Sequence, residues 1–150
     1  GVYSINFAAM ILGTDIEEIQ SVCVKGETGV DMQNSMIFKY KSGAVASLQS
    51  SALASTEQYG IVHGTGGYII AKNINNVDVI EVYNPDCKLL ESHTVPEQIT
   101  GFEDQVRACM KAIQEGKKEC AEMPHEEIVK IMEIMDGLRR EWGIVYPVEK

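Results

Sequence analysis

An α+β domain is the fold class this sequence predicts: a largely antiparallel, open sheet of about six strands with helices packed on one face. Three observations lead there. Residues 2–12 are apolar nearly all round. From residue 18 the apolar period changes from helical to two, through consecutive hairpins with no helix between them. Two amphipathic helical stretches then close the chain. At 150 residues the chain is long enough for one domain with its own core and too short to expect two, so residues 1–150 are expected to form a single domain.

The opening "VYSINFAAMIL" predicts a helix buried on most sides, because it carries no polar face. Gly13 stops it. No capping residue precedes it, so the natural chain is expected to continue upstream of Gly1. The segment lacks the basic start and small-residue cleavage site of a signal peptide, and it falls well short of the ~20 residues that span a bilayer.

Next, "EIQSVCVKGE" reads as a strand with apolar Ile19, Val22 and Val24. The clearest hairpin is "MQNSMIFKYKSGAVASLQSSAL". Met36, Phe38 and Tyr40 alternate with Ile37 and Lys39, and "KSG" turns the chain with Gly43 in the left-handed position. The return strand puts Ala44, Ala46 and Leu48 on one face and Val45, Ser47, Gln49 and Ser51 on the other. "QYGIVHGTGGYIIAKN" is a further strand, turn and strand, and "VDVIEVYNPD" and "KLLESHTV" complete six or seven strands.

The first closing helix, "TGFEDQVRACMKAIQEG", has Thr100 and Glu103 at capping-box spacing and Gly116 at its stop. Its expected buried stripe is Phe102, Val106, Cys109, Met110 and Ile113. The second, "PHEEIVKIMEIMDGLRREWG", has Pro124 and two acids at its start, Arg139 and Arg140 near its end, and Gly143 after it. Ile128, Ile131, Met132, Met135 and Leu138 form its expected stripe.

The net charge of −9, from 13 basic and 22 acidic residues, argues against nucleic-acid and anionic-membrane binding. Cys23, Cys87, Cys109 and Cys120 show no C-x-x-C spacing, and their surroundings suit reduced thiols in a cytoplasmic protein. His63, His93 and His125 lack metal-ligand spacing, so no metal is expected. His63 reads as a packed, hydrogen-bonded histidine ahead of a catalytic one. "GTGG" at 64–67 lies between two strand-like segments, where a phosphate loop needs a strand leading into a helix; a tight hairpin turn fits better.

Two features point further. Ser47, Gln49 and Ser51 would form a polar, shallow row on a sheet face left free by the helices, suited to a second sheet or a partner subunit, or simply solvated. Tyr3 places a phenol in an apolar helix, where its hydroxyl needs a partner. Two readings stand: a core tyrosine bonded to a backbone carbonyl, or a phenol aimed into a cleft as proton donor, its pKa lowered by a nearby cation. Position alone favours the first.

Taken in order, "GVYSINFAAMILG", "ETGVDMQNSMIFKYKSGAVASLQSS", "GTGGYI" and "MPHEEIVKIMEIMDGLRREWGIVYP" resemble the C-terminal domain of the Gfo/Idh/MocA (glucose-fructose oxidoreductase, inositol dehydrogenase, rhizopine catabolism) oxidoreductases. The likeness is nearest to the dihydrodiol and xylose dehydrogenase branch and runs over essentially the whole chain. It implies a two-domain parent. An N-terminal Rossmann domain there binds NAD or NADP and carries a catalytic Lys in a Glu-Lys-Pro motif. The α+β domain supplies the substrate pocket and the oligomer interface.

This chain has no G-x-G-x-x-G after a strand and no Glu-Lys-Pro. The dinucleotide-binding domain is therefore expected to be missing from it, no cofactor is expected on it, and alone it is expected to be inactive. Gly1 and Tyr3 match the family's Asp-x-Gly-x-(Tyr/His) motif. The resemblance thus makes Tyr3 the candidate acid/base for hydride transfer between a nicotinamide and a CH–OH group of a sugar, polyol or diol. Members with His at that place often carry an Asp three residues on; here the residue is Asn6. Asn6 and Lys25 are the candidate substrate-binding residues. The implied partners are a sugar or diol substrate, the missing Rossmann domain, and further copies of the chain as a homodimer or higher homo-oligomer through the sheet face. The alternative is a stand-alone oligomerisation or ligand-binding module without catalysis.

Overall fold

The computed structural model describes residues 1–149. In chain order it contains α1 (Val2–Leu12), β1 (Ile16–Lys25), β2 (Asp31–Tyr40), β3 (Val45–Ser51), β4 (Gly60–Gly64), β5 (Gly67–Lys72), β6 (Val79–Tyr83), β7 (Leu89–Thr94), α2 (Glu103–Gln114), α3 (His125–Glu141) and a 3-10 turn, Pro147–Glu149. Among the described residues every ladder is antiparallel and joins strands adjacent in sequence, so the α+β class holds. The strands number seven and divide between two sheets, β1-β2-β3 and β4-β5-β6-β7, where the sequence suggested one sheet of about six. Ser51 gives a physical reason. Its hydroxyl accepts the amides of Leu53 (3.0 Å) and Ala54 (3.1 Å), and this turn takes the backbone out of the ladder as β3 ends. Two compact units result, Gly1–Ser55 with His125–Lys150, and Thr56–Pro124.

In the first unit, the period-two pattern of β2 and β3 buries Met36, Phe38, Tyr40 and Leu48 against Ile5, Ala8 and Ala9 of α1 and Ile131 and Leu138 of α3. The β2–β3 turn has Gly43 at φ 88°, the left-handed position expected of it. β1 departs from simple alternation. A bulge between Ile16 and Glu18 lets Ile16 and Ile19 share the inner face with Ser21 and Cys23, while Val22 and Val24 turn outward. α1 is not buried on most sides as its composition suggested. Ile5, Ala8 and Ala9, at i, i+3 and i+4, are its buried stripe, and Tyr3, Met10 and Ile11 are exposed. In α3, likewise, Ile131 and Leu138 are buried and Met135 half-buried, but Ile128 and Met132 are exposed.

The second unit is a four-stranded meander followed by α2. Thr65 and Gly66 make the two-residue turn between β4 and β5, so "GTGG" is a hairpin turn as expected. Gly67 has φ 136°, and a Cβ there would collide with the carbonyl oxygen of Tyr83 on β6. Lys72 pairs with Glu81 (2.6 Å), which also accepts the Tyr83 hydroxyl (2.9 Å); the Tyr68 and Tyr83 rings stack 4.8 Å apart. His63 is exposed beside Tyr68, where a packed, hydrogen-bonded histidine was expected.

Two expectations for α2 need correcting. Thr100 is not its N-cap: Phe102 is, and Glu103 opens the helix. Half of the capping box still forms. The Glu103 carboxylate accepts the amides of Ile99 (2.8 Å), Thr100 (2.7 Å) and Gly101 (2.9 Å). Its own amide first, then those of Thr100 and Ile99, hold its pKa down at about 2. The expected buried stripe is exposed at Phe102, Val106, Cys109, Met110 and Ile113, and only Ala112 of α2 is buried. The unit has little core to offer it, since Ala71 is its only other buried apolar side chain among the described residues. No helix of the described residues is long and apolar enough to cross a membrane.

Candidate functional site

The first turn of α1 carries the candidate chemistry. Gly1 caps it without a side chain, so the backbone closes on itself: Ile5 donates to the Gly1 carbonyl at 3.3 Å and the Ser4 hydroxyl donates to the same oxygen at 2.9 Å. Tyr3 and Asn6, three residues apart, therefore lie on neighbouring positions of one helix face. Tyr3 is 57% exposed, which fits neither the buried core tyrosine nor a phenol already enclosed.

Asn6 is half-buried, and its Oδ1 is fully buried with no hydrogen-bond partner. Leaving a buried acceptor unpaired costs on the order of 1–3 kcal/mol, so such an atom calls for a reason. A phenol that can give or take a proton and an acceptor in want of a hydroxyl donor, one helical turn apart, suit a hydroxylated ligand. A second orphan was not foreseen from the sequence: Asn34 on β2 is buried, its Nδ2 donates to Asp31 at 2.8 Å, and its Oδ1 has no partner. The signal was present, since Asn34 shares the parity of Met36, Phe38 and Tyr40 on the buried face.

Lys25 has a different setting. It ends β1, and its Nζ donates to the carbonyl of Gly143 at 3.3 Å. Gly143, at φ 63°, follows the end of α3, where a cation is favoured by the helix dipole. Nearby, Ser21 accepts from the Trp142 indole at 2.8 Å and donates to Glu141 at 3.1 Å. These bonds tie β1 to the end of α3. Helical spacing sets Tyr3 beside Asn6, whereas Lys25 is occupied at the end of α3.

The outer face of β1-β2-β3 is mixed. Ser47 and Gln49 are exposed on it, opposite Ile37 and Ser35. Ser51 is half-buried and spends its hydroxyl on the turn amides, so it does not extend the polar row. Val22, Val24, Ile37 and Val45 are all exposed on the same face. Reading the row from β3 alone missed these aliphatic side chains of β1 and β2.

The family profile described as the GFO/IDH/MocA C-terminal domain matches residues 1–70, the stretch that holds Tyr3, Asn6 and the whole three-stranded sheet. The resemblance read from the sequence is borne out. A D-xylose 1-dehydrogenase (NADP(+)) of Haloferax volcanii is 28% identical over 142 residues, 92% of this chain and 42% of that protein. The trans-1,2-dihydrobenzene-1,2-diol dehydrogenase of Xenopus tropicalis is 28% identical over 155 residues, 98% of this chain and 46% of its own length. The aldose-aldose oxidoreductase of Caulobacter crescentus shares the fold with a TM-score of 0.75 at 16% identity, over 93% of this chain and 43% of that one. The chain thus spans about half the length of the curated relatives it matches.

For a dinucleotide such as the NADP(+) of that xylose dehydrogenase, the one glycine-rich candidate on this chain is the loop at 64–67. The glycine-rich loop at 64–67 does not fit a dinucleotide. It joins two antiparallel strands, so it opens no helix whose N-terminal amides would receive a pyrophosphate, and Gly67 is spent on close passage by β6. Nor do three or more His, Cys, Asp or Glu side chains gather in a metal-binding group among the described residues.

Proposed function

We propose that this chain is the substrate-side domain of an NADP-dependent Gfo/Idh/MocA dehydrogenase acting on a CH–OH group of a sugar, polyol or diol, with the cofactor held by a separate dinucleotide-binding domain. The observation that carries the reading is the pairing of Tyr3 with Asn6 on one face of α1, inside the stretch that matches the family profile. Oxidation of a CH–OH group frees a hydroxyl proton as hydride leaves the carbon. Tyr3 Oη is the group on this chain that takes that proton, or gives it in the reverse direction. Asn6, one turn along the same helix, is the substrate-binding residue on this reading: turned outward from its enclosed position, its amide oxygen accepts a hydrogen bond from a substrate hydroxyl. The four cysteines are all free thiols, which fits a cytoplasmic setting.

On this reading the outer face of β1-β2-β3 is a homo-oligomer interface. Its exposed Val22, Val24, Ile37 and Val45 supply apolar area, and Ser47 and Gln49 are small or neutral enough for another sheet to approach.

The experiment is steady-state kinetics on the full-length protein. Tyr3→Phe is expected to lower kcat/KM by about 10²–10⁴-fold with an unchanged melting temperature, since the ring is largely exposed. An unchanged kcat/KM would remove Tyr3 from the chemistry. Titration of NADPH into residues 1–150 alone is expected to show no binding; micromolar affinity would overturn the separate cofactor domain.

A further inference from the structure

We propose that Cys109 and Cys120 form an oxidisable dithiol, a modification site at which a peroxide-class oxidant closes an intramolecular disulfide between α2 and the segment that follows it. Their sulfurs lie 3.8 Å apart, although the residues are eleven positions apart in the chain. The backbone brings them together. α2 ends in a reversal at Gly116 (φ 67°), with Lys117 donating to Ala112 O at 2.8 Å and Gly116 to Ile113 O at 3.0 Å. Cys120 is then held by an antiparallel bridge with Met123. A disulfide needs its sulfurs at about 2.05 Å, so closing this gap is the movement the bond requires.

Cys109 is exposed and Cys120 half-buried. The Cys120 thiol is pushed above its ordinary pKa, chiefly by its hydrogen bond to Cys109, then by burial and by negative charge at Cys109 and Glu122. Cys109 therefore meets the oxidant and Cys120 resolves it. Cys109 gives up its thiol proton and the thiolate attacks one peroxide oxygen; the O–O bond breaks, leaving a sulfenic acid, and the departing hydroxide takes up that proton and leaves as one water. The Cys120 sulfur then attacks the Cys109 sulfur; the S–S bond forms, the S–O bond breaks, and the hydroxide leaves as a second water with the Cys120 proton. The two sulfurs give up two electrons and one peroxide is reduced to two waters.

The test treats the reduced 150-residue chain with hydrogen peroxide, alkylates remaining thiols and maps the peptides by mass. The expected product is a cross-linked Cys109–Cys120 peptide about 2 Da lighter than its reduced parts, reversed by dithiothreitol, with Cys23 and Cys87 alkylated. Cys87→Ser is expected to cross-link as before. Cys120→Ser is expected to stop at a sulfenic acid on Cys109, trapped by dimedone. Alkylation of both Cys109 and Cys120 after peroxide, or disulfides only between chains or through Cys23 or Cys87, would overturn the proposal. A readout without substitution is phenylarsine oxide on the unaltered chain. Joint protection of Cys109 and Cys120 from alkylation is expected, and full alkylation of both counts against the site.

Discussion

Met36, Phe38, Tyr40 and Leu48 lie buried with residues of α1 and α3 in one unit, whereas in the other Ala71 and Ala112 are the only buried apolar side chains among the described residues. Both units rest on antiparallel ladders, the first on strands of 7 to 10 residues and the second on strands of 5 or 6. They differ in what holds the ladder. In the first, strand alternation and helix stripes agree and exclude water together, the condition for a cooperative core. In the second, shape comes from the backbone and from polar side chains: a two-residue hairpin, a glycine passed closely by a neighbouring strand, the Lys72–Glu81–Tyr83 network, and the amides gathered by Glu103. The candidate chemistry sits on the first kind of scaffold, where side-chain geometry is best fixed.

The largest test of this contrast is Phe38→Ala. Phe38 is 1% exposed at the centre of the first unit's core, and its truncation is expected to cost about 3–5 kcal/mol in urea unfolding. A cost near 1 kcal/mol would mean that the core is looser than its burial implies. The matching test in the second unit is Gly67→Ala. A side chain at φ 136° costs on the order of 1–3 kcal/mol in strain alone, and the collision with the Tyr83 carbonyl adds to it. Hydrogen exchange should show lost protection in β5 and β6 and unchanged protection in β2. Equal loss in both sheets would show the two units unfolding as one.

Next is pH. The Glu103 carboxyl is held down at about 2, against an ordinary 4.5, chiefly because its own amide and that of Thr100 donate to it, with Ile99 adding to the effect. A carboxylate whose folded pKa is lowered stabilises fully above its ordinary value and loses that contribution as pH falls toward the folded one. The start of α2 is therefore expected to hold at neutral pH and to fray between about 4.5 and 2. A carboxyl-detected NMR titration reads the midpoint directly. Titration at 4.5 would mean the amide cluster does not form in solution, and Glu103→Gln should abolish the pH dependence.

How far each unit is legible in sequence follows from the same contrast. The hairpin at Gly43 and the stop at Gly143 are readable because a positive φ selects glycine locally. Tyr3 and Asn6 are readable as a pair because helical spacing alone places them together. The outward turn of Val22 and Val24 is not, because the bulge after Ile16 changes parity and leaves no local mark of its own. Thr100 and Glu103 have the spacing of a capping box, yet the helix opens at Glu103 with Phe102 as its cap, two residues past a Thr100 cap; the pattern records which groups bond but not where the first turn forms. The division into two sheets depends on Ser51 turning back on its own backbone, a choice open to any serine near a strand end.

The smallest expected effect is the sharpest check on the second unit. Ile113 on α2 has the spacing of a core residue relative to Val106 and Met110, and composition alone would bury it. It is 75% exposed. Ile113→Ala should therefore change stability by no more than about 0.5 kcal/mol, as exposed substitutions do. A buried isoleucine truncated to alanine costs about 2–5 kcal/mol, so the two cases are well separated in a single unfolding curve. On the proposed two-domain reading, the same substitution made with the dinucleotide-binding domain present adds a second outcome. If Ile113→Ala is neutral in residues 1–150 but costly there, the stripe on α2 is covered in that protein. If it is neutral in both, the stripe is a surface, and the second unit holds its shape through its backbone and polar contacts alone.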